Sequence, residues 1–226
     1  MRHQENSTLL VTAFVLALLD LSVSTRAATP ADGRSRKALT AVEAAGTYSV
    51  DPLHTNVGFR VRHMGLATVL GAFKDYTATI YYDPSDITKS SVQFTARVAS
   101  LDTGVKQRDD HLRSADFFDV EKYPEMTIGS TRIERKSGSR IIAHGDLTIK
   151  NVTKQVALPV EFYGVIRDSV GQTRLGGSAR LNINRLDYGV RWSQLLDNGS
   201  LVVDNNVQIA LQFEAVRQEA QKDAAE

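Results

Sequence analysis

The sequence predicts an all-β domain of about eight antiparallel strands, interrupted by one short helical insertion. Three observations predict it. Apolar residues recur at every second position in several segments, turn-forming clusters separate those segments, and the chain lacks the strand–helix alternation that a parallel sheet requires. A strand that is apolar at alternate positions has one face to bury. The strands must therefore either stack as two sheets or close into a barrel.

In chain order, the first clear segment is Val57-Gly58-Phe59-Arg60-Val61-Arg62-His63, whose odd positions are apolar or aromatic. Residues 68–82 form a second candidate, bent at Gly71, and Asp83-Pro84-Ser85 supplies the turn after it. The alternation returns in Val92–Val98, then in Val156–Tyr163 and Val207–Phe213. Segments 126–134, 140–149 and 175–184 complete the set, with Lys136-Ser137-Gly138 and Asp197-Asn198-Gly199 as turns. Between the strands, Val105 to Phe118 reads as a helix ahead of Tyr123-Pro124, and such an insertion can cap a barrel mouth.

The two ends of the chain fall outside this pattern. Arg2 lies in a polar start, and Leu9 to Leu19 is an apolar run of 11 residues, too short to span a bilayer as a helix. With Thr25 and Ala27 at tolerated spacing, residues 1–27 read as a secretory signal peptide cleaved after Ala27. Residues 28–45 mix small and basic residues and read as a spacer with some helical character. The barrel then spans 46–217, and 218–226 is a polar tail. Export places the mature protein in the periplasm or outside the cell, without a stable membrane anchor.

Composition narrows the chemistry. Without Cys there is no disulfide, thiolate nucleophile or Cys-ligated metal, so stability must come from an apolar core. Lys plus Arg (27) nearly balances Asp plus Glu (26), which removes any bulk electrostatic case for nucleic acid or for an anionic membrane surface; an anion site would have to be local. No Gly-x-Ser-x-Gly, His-Glu-x-x-His, Gly-x-x-x-x-Gly-Lys or Gly-x-Gly-x-x-Gly occurs. What remains is His54, His63, His111 and His144 beside Asp51, Asp109, Asp110 and Asp146. His54 and His63 are nine residues apart and on one strand would face opposite sides, so they cannot share an ion. In the insertion, Asp109 and Arg113 stand four apart for a helical pair and Leu112 points inward with Phe117. Arg108, His111 and Arg113 are either a solvated helix face or donors to an anionic head group. Phe59, Phe73, Phe94, Phe162 and Phe213 are first of all core residues, and a cavity between them would make them a tunnel.

An ordered set of motifs then resembles the YceI-like family of secreted polyisoprenoid-binding proteins. The set begins Tyr48-x-x-Asp51-x-x-His54-Thr55, Val57-x-Phe59-x-Val61-x-His63-x-Gly65 and Gly71-x-Phe73-x-Asp75. It continues with Arg108-Asp109-x-His111-Leu112-Arg113-Ser114-x-Asp116-Phe117-Phe118-Asp119 and Tyr123-Pro124. It ends with Gly145-Asp146-Leu147-Thr148-Ile149, Val152-Thr153-Lys154 and Asn184-Arg185-x-Asp187-Tyr188-Gly189. The resemblance implies an extended eight-stranded antiparallel lipocalin-like β-barrel enclosing a long apolar chain, and a binding protein rather than an enzyme.

On that basis Val57, Phe59, Val61, Phe73, Phe94, Phe162 and Phe213 are expected to line the lumen. His54, His63, Arg108, His111 and Arg113 are expected at its mouth or at the lipid head group. The expected partner is an isoprenoid or other long-chain amphiphile, of the polyprenyl phosphate or isoprenoid quinone type, with no cofactor and no metal; a homodimer is allowed. Two other classes stay open. One is an enzyme on a lipophilic substrate with His54, Asp51 and His111 as acid and base; the other is a non-lipid interaction module. Arg60 and Arg62, beside the strand aromatics, have no assigned part.

Overall fold

The computed structural model describes residues 39–219. The signal peptide expected at 1–27, most of the expected spacer and the end of the tail lie outside that range. The described chain opens with one helical turn, α1 (Ala41–Ala44), closed by a capping box in which Thr40 and Glu43 bond each other's backbone. The end of the expected spacer is thus part of the fold. Ala44 is buried, the Tyr48 hydroxyl donates to its carbonyl at 2.6 Å, and Arg217 donates to the Glu43 carbonyl at 2.9 Å.

The strands follow as β1 (Gly46–Val50), β2 (Asn56–His63), β3 (Ala67–Phe73), β4 (Tyr76–Tyr82), β5 (Ser91–Arg97) and β6 (Leu101–Asp102). After helix α2 (Lys106–Arg113) come β7 (Glu125–Arg135), β8 (Arg140–Ile149), β9 (Val152–Arg167), β10 (Thr173–Asn184) and β11 (Val203–Arg217). Pairing is antiparallel throughout. The order β1-β4-β5-β7-β8-β9-β10-β11 returns to β1, so eight strands close a barrel with no free edge along that ring.

The other three strands prolong the wall. β1 leaves β11 at Val50↔Ala215 and β2 joins it at Asn56↔Gln212, so β1 and β2 act as one kinked strand. Glu214 makes the joint: its carbonyl accepts from the Asp51 amide (2.8 Å) and the Thr55 hydroxyl (3.1 Å). β3 and β4 are a second kinked strand, and β5 and β6 a third. Segment 68–82 breaks at Lys74–Asp75 rather than at Gly71, because the Lys74 amide turns away to the Ser100 carbonyl. Gly71 stays within β3 for another reason. A Cβ there would lie 2.2 Å from the Phe59 ring, so only glycine lets that ring lie flat over the strand.

The insertion is shorter than the sequence suggests. α2 stops at Arg113, where the Ser114 amide and hydroxyl both return to the His111 carbonyl. Asp109 does not pair with Arg113. It is buried and accepts from the Thr103 amide and hydroxyl, while Arg113 reaches Asp110 at 3.4 Å. Helix pairing depends on which face meets the barrel, and Asp109 faces the Thr103 turn.

Candidate functional site

The inward side chains leave a row of three small apolar chambers along the lumen. The upper chamber, about 140 Å³, includes Val57, Phe94, Phe162 and Phe213 with Ile80 and Tyr82 in its wall. The middle one, about 80 Å³, shares Val57, Phe94 and Leu211 with the upper and Phe59, Phe73 and Ile209 with the lower. The lower chamber, about 110 Å³, adds Val61 from β2 and Leu112 from α2. The shared residues stand between the chambers, so the three form a segmented row along the lumen, with Val57 and Phe94 at one neck and Phe59 and Phe73 at the other. Ring pairs stand at those necks, Phe59 and Phe73 5.8 Å apart at one and Tyr76 and Phe94 6.2 Å apart at the other, while Tyr82 and Phe162, 5.2 Å apart, lie in the wall of the upper chamber. Burial raises the Tyr82 hydroxyl above its ordinary pKa, keeping it neutral.

Polar groups are few along the lumen. Thr127 stands in the wall of the middle chamber, and the upper chamber reaches Thr55, Ser90, Ser91 and Ser130, touching β8 at His144, whose ring is turned outward. There β5 and β7 first pair at Gln93↔Gly129, and above that the seam is held by the Ser130 hydroxyl accepting from the Val92 amide at 2.8 Å. The turn Ile87–Lys89 covers the same seam with Ile87 buried. In the lower chamber stands Arg185, a buried guanidinium that burial pushes down from its ordinary pKa. Its nitrogens donate to the carbonyls of Asp204, Val190, Trp192 and Val203 and to Asn205 Oδ1 at 2.7–3.2 Å, so its charge is fully engaged within the protein. The same end is closed by aromatic contact between the two cap segments: Trp192 stacks on Phe117 at 5.2 Å, and His111 meets both edge-on.

The residues expected at the mouth are not gathered into one site. His54 lies in the β1–β2 kink rather than on a strand, its Nδ1 2.9 Å from Asp51, and His63 ends β2 opposite Val203 and Ala67. Arg108 donates to the hydroxyl and carbonyl of Thr103, and Arg113 to the carbonyls of Ala99 and Leu101. Both guanidiniums therefore fasten the strand end beside α2. His111 contacts Asp116 at 3.0 Å. His144 sits on the outer side of β8 between Glu134 and Arg132, and Asp146 stands on that same side opposite Gly129. His54 and His111 thus have separate partners and form no acid–base couple.

Asp51, His54 and Glu214 come close enough together to suggest a metal site. The Arg174 guanidinium already fills it, 2.8 Å from Asp51 and 2.6 Å from Glu214, with Asp168 on its other edge at 2.7 Å. The cluster is an ion-pair network on the outer wall, and it draws the Asp51 carboxyl down to about 2, first through His54 and then through Arg174.

A closed antiparallel barrel around an apolar lumen is the class that fold and site define. The chain belongs to the YceI-like family, whose domain it matches over residues 48–215. Relatives include a UPF0312 protein of Photorhabdus laumondii, 38% identical over 149 residues (65% of this chain, 77% of the relative). Protein YceI of Escherichia coli O157:H7 is 36% identical over 149 residues (65% and 78%). Among solved structures, Burkholderia cenocepacia BcnA superposes with TM-score 0.64 at 28% identity, covering 73% of this chain and 98% of that one. A polyisoprenoid-binding domain from Saccharophagus degradans shares the fold at TM-score 0.54 and 14% identity, covering 76% and 98%.

Several lumen residues escape sequence reading. Ile80, Tyr82, Leu211 and Ile209 carry the same alternation as the expected residues and could have been found by extending it. Arg185 gave no such signal, because a lone arginine in a polar loop looks solvated until its five acceptors are brought around it.

Proposed function

We propose that the protein is an exported binding protein that holds a long-chain isoprenoid lipid, of the polyprenyl phosphate or isoprenoid quinone type, without transforming it. The observation that carries this reading is the segmented apolar lumen: three chambers in series suit a thin, long chain better than a compact ligand. Likeness in fold to the polyisoprenoid-binding domain of S. degradans supports the same ligand class. Burial of the chain would supply ~0.8 kcal/mol per CH₂, less the cost of ordering it. Such a lumen selects length and width more than head group. A binding role without turnover is favoured because, among the described residues, the Asp51–His54 pair lies on the outer wall and the chambers hold no acid–base couple.

The test is mass spectrometry of the organic extract from natively purified protein, beside an unrelated exported protein. A stoichiometric long-chain isoprenoid absent from the control is expected. An extract from folded protein that holds no long-chain lipid would reject the carrier reading. Amino-terminal sequencing of the same sample should begin at Ala28 if the leader is cleaved as read.

A further inference from the structure

The lumen leaves two arginines unexplained, Arg60 and Arg62, and strand register places a third on their face. Arg180 of β10 stands opposite Ala210 of β11, which stands opposite Gly58 of β2. One row along, Asn182, Gln208, Arg60 and Leu70 run side by side across four strands, and Arg62 lies opposite Thr68. Even-numbered residues of 180–184, 206–212, 56–62 and 68–72 make this outer surface, and none of them is acidic. Four acids border it: Asp204, accepting from the Asn206 amide; Glu214, held by Arg174; Asp102, opposite Ala72 and 3.9 Å from Lys74; and exposed Glu161, opposite Ser178 on the strand beside Arg180.

All three arginines are exposed, and none has a hydrogen-bond or ion-pair partner among the described residues. Elsewhere exposed cations are mostly paired, as in Lys74–Asp102, Lys89–Asp86, Lys106–Asp110 and Lys122–Asp119. With strands ~4.8 Å apart and residues ~3.4 Å along, Arg60 and Arg62 lie roughly 7 Å apart, and Arg180 roughly 12 Å from Arg60 and roughly 17 Å from Arg62. The neutral positions between them are Ala210 and Gly58, which are small, and the amides Asn182 and Gln208. Apolar side chains stand beside the charges. Leu70 is 61% exposed, and Leu66, in the turn joining β2 to β3, is 84% exposed.

We propose that this face, centred on the β2–β3 hairpin, docks the protein on a membrane surface bearing anionic phospholipid head groups. Free cations flanking exposed leucines, with no acid between, are the complement of such a surface: the arginines meet phosphates and the leucines enter the interface. The opposite side of the hairpin carries Phe59 and Val61 of the lower chamber. The wall is also incomplete here, since β3 pairs with β6 only at Ala72 and Phe73 and no described strand lies beside Ala67–Gly71. Docking would bring that seam to the bilayer. The proposal stands on charge and exposure and does not depend on the cargo.

Natively purified protein is mixed with vesicles of phosphatidylcholine alone or containing phosphatidylglycerol, and the bound fraction is measured by flotation. Binding to the anionic vesicles alone, weakening with salt, is expected. Each of Arg60→Gln, Arg62→Gln and Arg180→Gln should lower partitioning by about fivefold, and the three together by about a hundredfold. Leu66→Ser with Leu70→Ser should weaken it as well. The control is Lys89→Gln, Lys106→Gln and Lys122→Gln combined, which removes equal charge from other surfaces and should leave binding near that of the unaltered chain. Thermal melts confirm that every variant is folded. Equal loss in the control triple, undiminished binding in the arginine triple, or equal binding to neutral vesicles would each overturn the proposal. So would a dimer that dissociates in the arginine triple without vesicles, since a second copy would then own the face.

Discussion

Phe59 joins the two sides of this barrel wall. Its ring lies over Gly71, touches Phe73 and separates the middle chamber from the lower one. A carboxylate at that position would be buried without a partner, which costs several kcal/mol and also wets the neck. Phe59→Asp or Phe94→Asp should abolish lipid retention, measured on the folded variants by the lipid-to-protein ratio after purification; retention at the unaltered level would move those rings out of the binding path. Asp51 carries a second prediction. Its carboxyl lies at about 2 against an ordinary 3.8, so the folded state holds the proton less tightly than the unfolded chain does. Its contribution to stability is complete above about pH 4 and fades as pH falls from there toward 2. Urea midpoints measured across that window should fall, and Asp51→Asn should flatten the drop.

Among the elements, the connection between β10 and β11 depends most on one side chain. Residues 185–202 turn back over the lower chamber, and Arg185 holds them through four carbonyls and Asn205. Lysine keeps the charge but offers three donors on a flexible stem instead of a planar five-donor fork. Arg185→Lys should therefore destabilise the protein by roughly 2–4 kcal/mol. Hydrogen exchange should quicken at amides 189–203 well before it does in the β7–β8 hairpin; uniform quickening would mean that the segment does not open on its own. The insertion obeys similar logic. Arg108 and Arg113 look available in a helix read alone, yet both are turned onto backbone carbonyls of the strand that α2 supports. A cation's availability depends on its acceptors, and these come from residues 99–103.

For a chain held as proposed above, chambers in series make length the quantity that the whole barrel reads. Val57 lies in the walls of both the upper and the middle chamber, so enlarging it closes the neck between them. Val57→Phe should cost ~1–3 kcal/mol in overpacking. It should retain a short-chain polyprenol while losing a long one, read as the ratio of the two after loading with an equal mixture. Equal loss of both would show that chain length is not read at that neck.

Alternation in the chain was enough to specify strands, their buried faces and the aromatic side chains that point inward, because a side-chain period of two follows from strand geometry wherever one face is covered. It did not mark the ends of the sheet: β1 begins at Gly46, well before the first alternating segment at Val57, and β11 runs to Arg217, past the last alternating residue, Phe213. Local sequence could not show which inward residues share a chamber. That depends on closure between distant strands, as where Tyr48 meets Arg217, and on kinks that join β1 to β2 and β3 to β4 as continuous walls. Nor could it separate the engaged arginines 108, 113, 174 and 185 from the free arginines 60, 62 and 180. The residues are chemically alike, and the difference lies in whether folding brings acceptors to them, which only tertiary register decides.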